Sequence, residues 1–431
     1  MEPVQEAAPA RTKEIVSWAM YDWANSAFAT SILTAIYSVY YAGTVVPKDS
    51  AIRGETWWNW ANAISMILVC ASGPVIGAIT DYTGSKKKFF RVFWLAGVLA
   101  CTALCLVGPG DALLGFVLFI VANIGFGASI ALNNAFLTEL APPEKMDRIS
   151  SFGWATGYVG GGICLALNLV LFKVFKDDAV FAARLGFAVV GLWWFVFSLP
   201  AVFWLKERPA TKPRPPGSSL VALGFADVFR TVRNLRQYKQ LFLFLLAFLC
   251  FNQGIETVVS NAAIFGEKAA GMKGDDIIVL VLVIQGVAAV GAFLFGRLAE
   301  RAGSKRVIGL SLFVWLGVLV FAFFTTSKGM FWALGISVAV VLGGTQAIAR
   351  GYFAQLTPPA RSAEFFGFFA IGGRAAAALG SLLFGTVSQL AGHMKWGIIS
   401  LAVFFIAGMI LLSRVDDREG KAAAAEAAPA S

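Results

Sequence analysis

A single histidine, His393, serves the whole chain of 431 residues. That scarcity argues against histidine-based triads, zinc clusters and paired-histidine haem ligation. Cysteine is nearly as sparse, and Cys70, Cys101, Cys105, Cys164 and Cys250 all fall inside apolar runs. Cys101 and Cys105 share a helical face, but no other ligand-type residue accompanies them. They read as small buried hydrophobes, and no metal is expected. No phosphate-binding loop or nucleotide fold is visible, which argues against ATP drive. With no nucleophile–base spacing either, neither an enzyme nor a cofactor is expected. The residues before Trp18 lack the basic, apolar, small order of a cleavable signal, so the first apolar segment is expected to stay. Charged residues make up only 14% of the chain.

Apolar residues fill the space left by these absences. The chain is 58% hydrophobic, with 38 Phe and 13 Trp, more apolar surface than a soluble domain can bury. Runs of about twenty apolar residues repeat along it, each able to cross a hydrocarbon core of roughly 30 Å. The short alternating segments of a β-barrel are absent. The expected fold is an all-α polytopic membrane protein with twelve transmembrane helices in two pseudo-symmetric six-helix bundles. The spans fall near 15–44, 57–80, 89–108, 112–140, 149–174, 182–205, 239–265, 276–299, 306–326, 330–356, 364–390 and 394–414.

The chain thus divides into a first half, 1–205, a linker, 206–238, a second half, 239–414, and a tail, 415–431, expected to be disordered. The linker carries Pro209, Pro213, Pro215 and Pro216, then an amphipathic stretch from Phe225 to Leu235. With both termini on one side, 24 of the 35 Lys and Arg gather there against nine opposite. That bias puts both termini in the cytoplasm, with the plasma membrane as the expected location. The net charge of +10 is therefore mostly topological, scattered over loops, and nucleic acid is not an expected partner.

Two hairpins spell one pattern. Gly77, Asp81, Gly84, Ser85, Lys86 and Lys87 recur as Gly296, Glu300, Gly303, Ser304, Lys305 and Arg306. Gly77 and Gly296 permit close helix crossing; Gly84 and Gly303 permit tight turns. Asp81 and Glu300 can accept bonds from basic neighbours or from a helix N-terminus across the boundary between halves. A plain topology signal is the alternative. A weaker repeat pairs Pro142-Pro143 with Pro358-Pro359, each between the fourth and fifth span of its half.

Twelve spans, a long middle loop and this hairpin resemble the major facilitator superfamily. The run from Trp18 through Tyr21, Asp22, Trp23, Asn25 and Ser26 to Phe28 is similar to the first-helix signature of the vacuole-effluxer-like family. Three further stretches resemble it: Ala141-Pro142-Pro143-Glu144 with Ser151-Phe152-Gly153-Trp154, Gly343-Gly344-Thr345-Gln346-Ala347 with Arg350, and Glu364-Phe365-Phe366-Gly367-Phe368. The resemblance implies a transporter working by alternating access, with a hairpin acid that locks the outward-facing state. It also implies amino acids as cargo, since fungal members export them from the vacuole. The seventh span departs from the family: Asn252-Gln253-Gly254-Ile255-Glu256 carries its acid three residues later.

Charges inside spans mark the candidate site, because each costs about 2.5–3.5 kcal/mol near a helix centre. Asp22 shares a face with Asn25 and Ser26, either to bind an ammonium or proton or to hold its helix to a neighbour. Glu256 forms a stripe with Asn252 and Ser260; a substrate or proton role, a salt bridge and a headgroup position stay open. Arg374, in the eleventh span, fits an anionic substrate group or a partner acid. Arg350, one turn from Gln346, suits a gate salt bridge or a capping role. Asn123, Asn134 and Gln285 add neutral donors and acceptors. Glycines every fourth residue at 153, 157 and 161, and small residues at 372, 376 and 380, suit close approach where the halves rock. The expected function is secondary transport of a small molecule, an amino acid with proton coupling, by a monomer in a lipid bilayer. Sugar, peptide and organic-anion carriers, or a non-transporting sensor or assembly factor, are the rivals.

Overall fold

The computed structural model describes residues 12–207, 219–233, 236–272, 274–374 and 377–426, without the side chains of 274, 275, 373, 374, 377 and 378. The described residues form helices and no strands. A spanning chain has no water for its backbone in the hydrocarbon core, so each segment must satisfy its own N–H and C=O groups.

Six spanning helices make the first half: α1 (12–45), α2 (Gly54–Thr83), α3 (Lys86–Leu106), α4 (Ala112–Leu140), α5 (Pro143–Val174) and α6 (Ala179–Trp204). A linker helix α7 (Leu220–Arg233) follows. The second half is α8 (Lys239–Ala270), α9 (Gly274–Ala302), α10 (Ser304–Phe324), α11 (Lys328–Leu356), α12 (362–390) and α13 (Met394–Ser413). Each helix of the first half thus has its counterpart seven labels later. Ten of the twelve are long and apolar enough to span. The other two are α1, which loosens into π-helical turns at Phe28–Ala35 and Tyr41–Val45, and α12, whose residues 375 and 376 lie outside the described ones.

Local chemistry sets several boundaries. Pro143 opens α5, where its missing N–H costs nothing. Asp178 and Ser327 cap α6 and α11 through the amides of Phe181 and Met330. The lone histidine is also a cap: His393 Nδ1 accepts from the amide of Lys395 at 3.2 Å. Gly84 and Gly303 turn the two repeated hairpins with φ of 58° and 89°, as expected of glycine there.

The tail departs from expectation. Asp417–Glu426 is a helix, α14, rather than disordered chain. Gln240 donates to Glu419 at 2.6 Å and accepts from the amide of Asp416, while Gly420 sits against Leu356. These contacts order the segment against the starts and ends of α8 and α11.

Within the halves α1 packs on α5 and α6, and α8 on α12 and α13. Between the halves α2 meets α12, and α5 meets α9 and α11. The glycines at 153, 157 and 161 face Asp22, Ser26 and Thr30 of α1, and Gly372 and Gly380 face α8. Gly153 and Gly161 also meet Arg350 and Gln285 of the other half, so they serve packing within the first half and the boundary alike, whereas Gly372 and Gly380 meet only their own half; Ala376 lies outside the described residues. The boundary between halves uses other glycines as well: Gly73 against Gly367, Gly77 against Ala363, and Gly296 against Ser151.

Candidate functional site

Three polar layers cross the boundary between halves, beginning at the end of the bundle that carries both termini. The first layer is built on the hairpin between α2 and α3. A Cβ on Gly77 would lie 2.2 Å from the carbonyl oxygen of Ala363, so only glycine lets α12 come this close. That approach puts Asp81 beneath the start of α12. Its carboxylate accepts from the amide of Glu364 at 2.9 Å and from that of Ala363 at 3.3 Å. An acid of one half thus caps a helix of the other. Lys86, itself buried, reaches Asp81 at 3.4 Å, Glu139 at 2.5 Å and the Ser362 hydroxyl at 2.8 Å. Beyond them Arg361 pairs with the fully buried Glu364 at 2.7 Å, and Thr231 of the linker helix donates to the same carboxylate.

The second hairpin reads alike but sits differently. Helix α3 starts at Lys86, whereas α10 starts at Ser304, one residue earlier in the pattern. Lys87 caps the last carbonyls of α6, at Phe203 and Leu205; Lys305 does the same for α13, at Ser413 and Val415. Ser304 therefore stands where Lys86 stands in the first half. It donates to Asp147 of α5 at 2.6 Å and accepts from Gln355. Glu300, proposed from the sequence as the gate acid, is exposed and makes no ion pair with a described residue. With the register advanced by one residue, the Ser304 hydroxyl faces the boundary. Gly296 does make its close approach, to Ser151.

The second layer is deeper. Arg350 of α11 crosses to the first half and pairs with Asp22 at 2.8 Å. The same Nη1 donates to Asn134 at 3.1 Å, while Nε and Nη2 donate to the hydroxyl and carbonyl of Ser150 at 2.9 and 2.7 Å. Four of its five N–H groups are thus engaged. Its plane lies 4.7 Å from the Trp18 ring and 5.5 Å from that of Trp154. Gly153 makes the room: a Cβ there would meet Asp22, Trp18 and Arg350 within 3 Å. Asp22 is 7% exposed and Arg350 4%, so the pair is closed to bulk water. Asn25 is buried one turn along α1.

One turn up α11, Gln346 opens the third layer. Its Nε2 donates to Glu256 of α8 at 3.3 Å, and its Oε1 accepts from Tyr158 of α5 at 3.2 Å. Tyr158 packs on Trp154, which links this chain to the arginine below. Glu256 and Gln346 are only half-buried, unlike the pair beneath them. Gln285 lies beside Gly161 and Gly162, further up.

The structure therefore brings together Asp22 with Arg350, and Glu256 with Gln346. It sets Asn252 apart from Glu256, with its Nδ2 donating to the Gly372 carbonyl at 3.4 Å, helix to helix, and its Oδ1 buried without a hydrogen-bond partner among the described residues. Asn123 likewise ties α4 to α2 through Ser65. The Arg374 side chain lies outside the described residues. Sequence reasoning missed Trp18, Trp154, Tyr158 and Ser150, although Trp18 and Trp154 stand inside stretches it singled out. Among the described residues no group of three or more potential ligands could hold a metal.

The chain is similar to known proteins along most of its length. A family described as vacuole effluxer Atg22 like matches residues 52–425. The uncharacterized MFS-type transporter YxiO of Bacillus subtilis is 32% identical, over 94% of this chain and 95% of its own. Autophagy-related protein 22 of Coccidioides immitis is 25% identical, over 99% and 90%. Among solved structures, FucP in its outward conformation superposes with a TM-score of 0.71 at 13% identity, covering 94% of this chain and 98% of that one. The human organic anion transporter MFSD10 gives 0.69 at 14%, covering 93% and 99%. At such identities the superpositions speak for the fold alone. Its sequence relatives and its helical frame together place this chain in the Atg22-like family of major facilitator transporters, which are carriers rather than enzymes.

Proposed function

We propose that the protein is a secondary active transporter for a small zwitterion, an amino acid, working by alternating access. The observation that carries this reading is the stacking of two charge sites across the boundary between halves: Glu256 with Gln346 and Tyr158, and one turn below them Arg350 with Asp22. One helical turn of α11 separates the layers, roughly 6 Å at 1.5 Å per residue, close enough for the ammonium and carboxylate of one small zwitterion to hydrogen-bond to both. The half-buried Glu256 takes the substrate ammonium, with Gln346 and Tyr158 beside it. The substrate carboxylate then competes with Asp22 for the guanidinium of Arg350. Substrate binding and the release of the gate become one event, and differential affinity for the two states drives the change.

The lysine and arginine bias supports placing both termini, and so the closed end, in the cytoplasm of a plasma-membrane protein. In that orientation the closed layers hold an outward-facing state, with Asp81 as its lock. A proton on Asp22 would free Arg350 in the same way as a substrate carboxylate, which gives coupling a route. The protein acts as a monomer. Purified protein in liposomes, loaded with one amino acid at a time, should exchange at least one for its radiolabelled form. Exchange of sugars or organic anions, with none for any amino acid, would sink the reading.

A further inference from the structure

The linker helix α7 is more than a tether. Its buried face carries Gly224, Asp227 and Thr231. Gly224 lies on Val75 and Ile79 of α2, and Asp227 accepts from Tyr82 of the same helix at 3.3 Å. On the other side Asp227 lies 3.9 Å from Arg361, and Thr231 bonds Glu364, both at the start of α12. The helix thus bridges the two halves at the level of Asp81.

Its opposite face is apolar and open. Val221, Phe225, Phe229 and Val232 are 57, 59, 69 and 47% exposed, a stripe at spacings of four, four and three. At 14 residues and about 21 Å the helix is too short to span a membrane. A stripe of this kind in water is an unmet demand for a partner. The charge beside it says which: Arg230, Arg233, Arg236 and Lys239 follow in sequence, all exposed. Earlier along α2, on which α7 packs, Ile64, Ile67 and Leu68 are exposed in the way a spanning helix turns residues to lipid.

We infer that α7 is a membrane-surface helix: the stripe rests on the acyl boundary of an anionic bilayer, the basic end rests on its phosphate headgroups, and this contact seats the latch between the halves. An amphipathic helix with basic flanks binds such surfaces through apolar burial plus charge, each basic residue adding about fivefold to partition. Lipid charge then biases the conformational equilibrium without touching the substrate site. The inference does not rest on the identity of the cargo.

Hydrogen exchange of the full chain in nanodiscs tests it, comparing neutral phosphatidylcholine with mixtures containing phosphatidylglycerol. Anionic lipid should slow exchange across 220–233 at least about fivefold. It should also slow exchange at the Glu364 amide, which Asp81 holds only when the halves are closed. R233Q/R236Q/K239Q should lose the lipid dependence while remaining folded, and F225S/F229S should exchange fast in both lipids. Equal exchange in neutral and anionic discs, or an unchanged response in the charge variant, would overturn the inference. Protection that follows protein concentration instead of lipid charge would assign the stripe to a second copy and overturn it too.

Discussion

Arg350 has four hydrogen bonds, two aromatic faces and one carboxylate partner, and almost no water. A buried pair of this kind is far more sensitive to losing one member than to losing both. Asp22→Asn should therefore lower stability by about 3–5 kcal/mol. The double variant Asp22→Asn with Arg350→Gln should recover part of that loss, as read from thermal unfolding in detergent. If the two single losses simply add, the pair is not coupled. Glu256 is half-buried, with Gln346 donating to it, so Glu256→Gln should cost much less in unfolding than Asp22→Asn. Its substrate affinity should fall about 10- to 100-fold, the worth of a charge-assisted bond. Substrate-induced thermal shifts measure both quantities at once. The sequence showed where charge enters the membrane, because each such residue is expensive there. Which charges meet it did not show, since Asp22 and Arg350 are joined only by the packing of α1, α5 and α11. Asn252 looked equal to Glu256 by face and depth, and only its contact with the Gly372 carbonyl separates them.

At the scale of the elements, the repeated hairpins illustrate what a pattern can and cannot carry. Their glycines were legible, because positive φ and close crossing leave few alternatives. Gly303→Ala isolates the backbone effect, since nothing lies near its absent Cβ; a loss of about 1–3 kcal/mol is expected in thermal unfolding. Gly77→Ala should act differently. Its Cβ collides with the Ala363 carbonyl only when the halves are closed at this end, so about 1–3 kcal/mol falls on that state alone. Populations should shift toward the opposite state about five- to 150-fold, visible as longer distances between spin labels on α2 and α12. An unchanged distance distribution would show that α12 can yield at this point. The acids were less legible than the glycines. Asp81 and Glu300 hold matching letters, but Asp81 meets open amides at the start of α12, whereas Gly296 meets α5 at Ser151, well inside a helix that began at Pro143.

For the molecule as a whole, hydropathy counted twelve spans almost unaided, because no backbone can cross a bilayer unpaired. It failed at the margins: the tail helix α14 is held by Gln240 and Leu356, partners that lie nearly two hundred residues and some sixty residues away respectively. The proposed orientation rests on charge and makes a clean prediction. Alkaline phosphatase fused after Pro109 should be active at the cell surface, and fused after Lys212 it should be silent. The reverse result would turn the closed end outward and make the structure an inward-facing state. The one-residue difference between the hairpins has a mechanical consequence at this scale. On one side of the boundary Asp81 and Lys86 of the first half hold the start of α12 through the amides of Ala363 and Glu364 and the hydroxyl of Ser362; on the other Ser304 of the second half holds α5 through Asp147. A joint with unlike fastenings does not part evenly. It opens first on the side held by the single hydroxyl and swings on the side held by three bonds, so the protein is better pictured as a door than as a rocker.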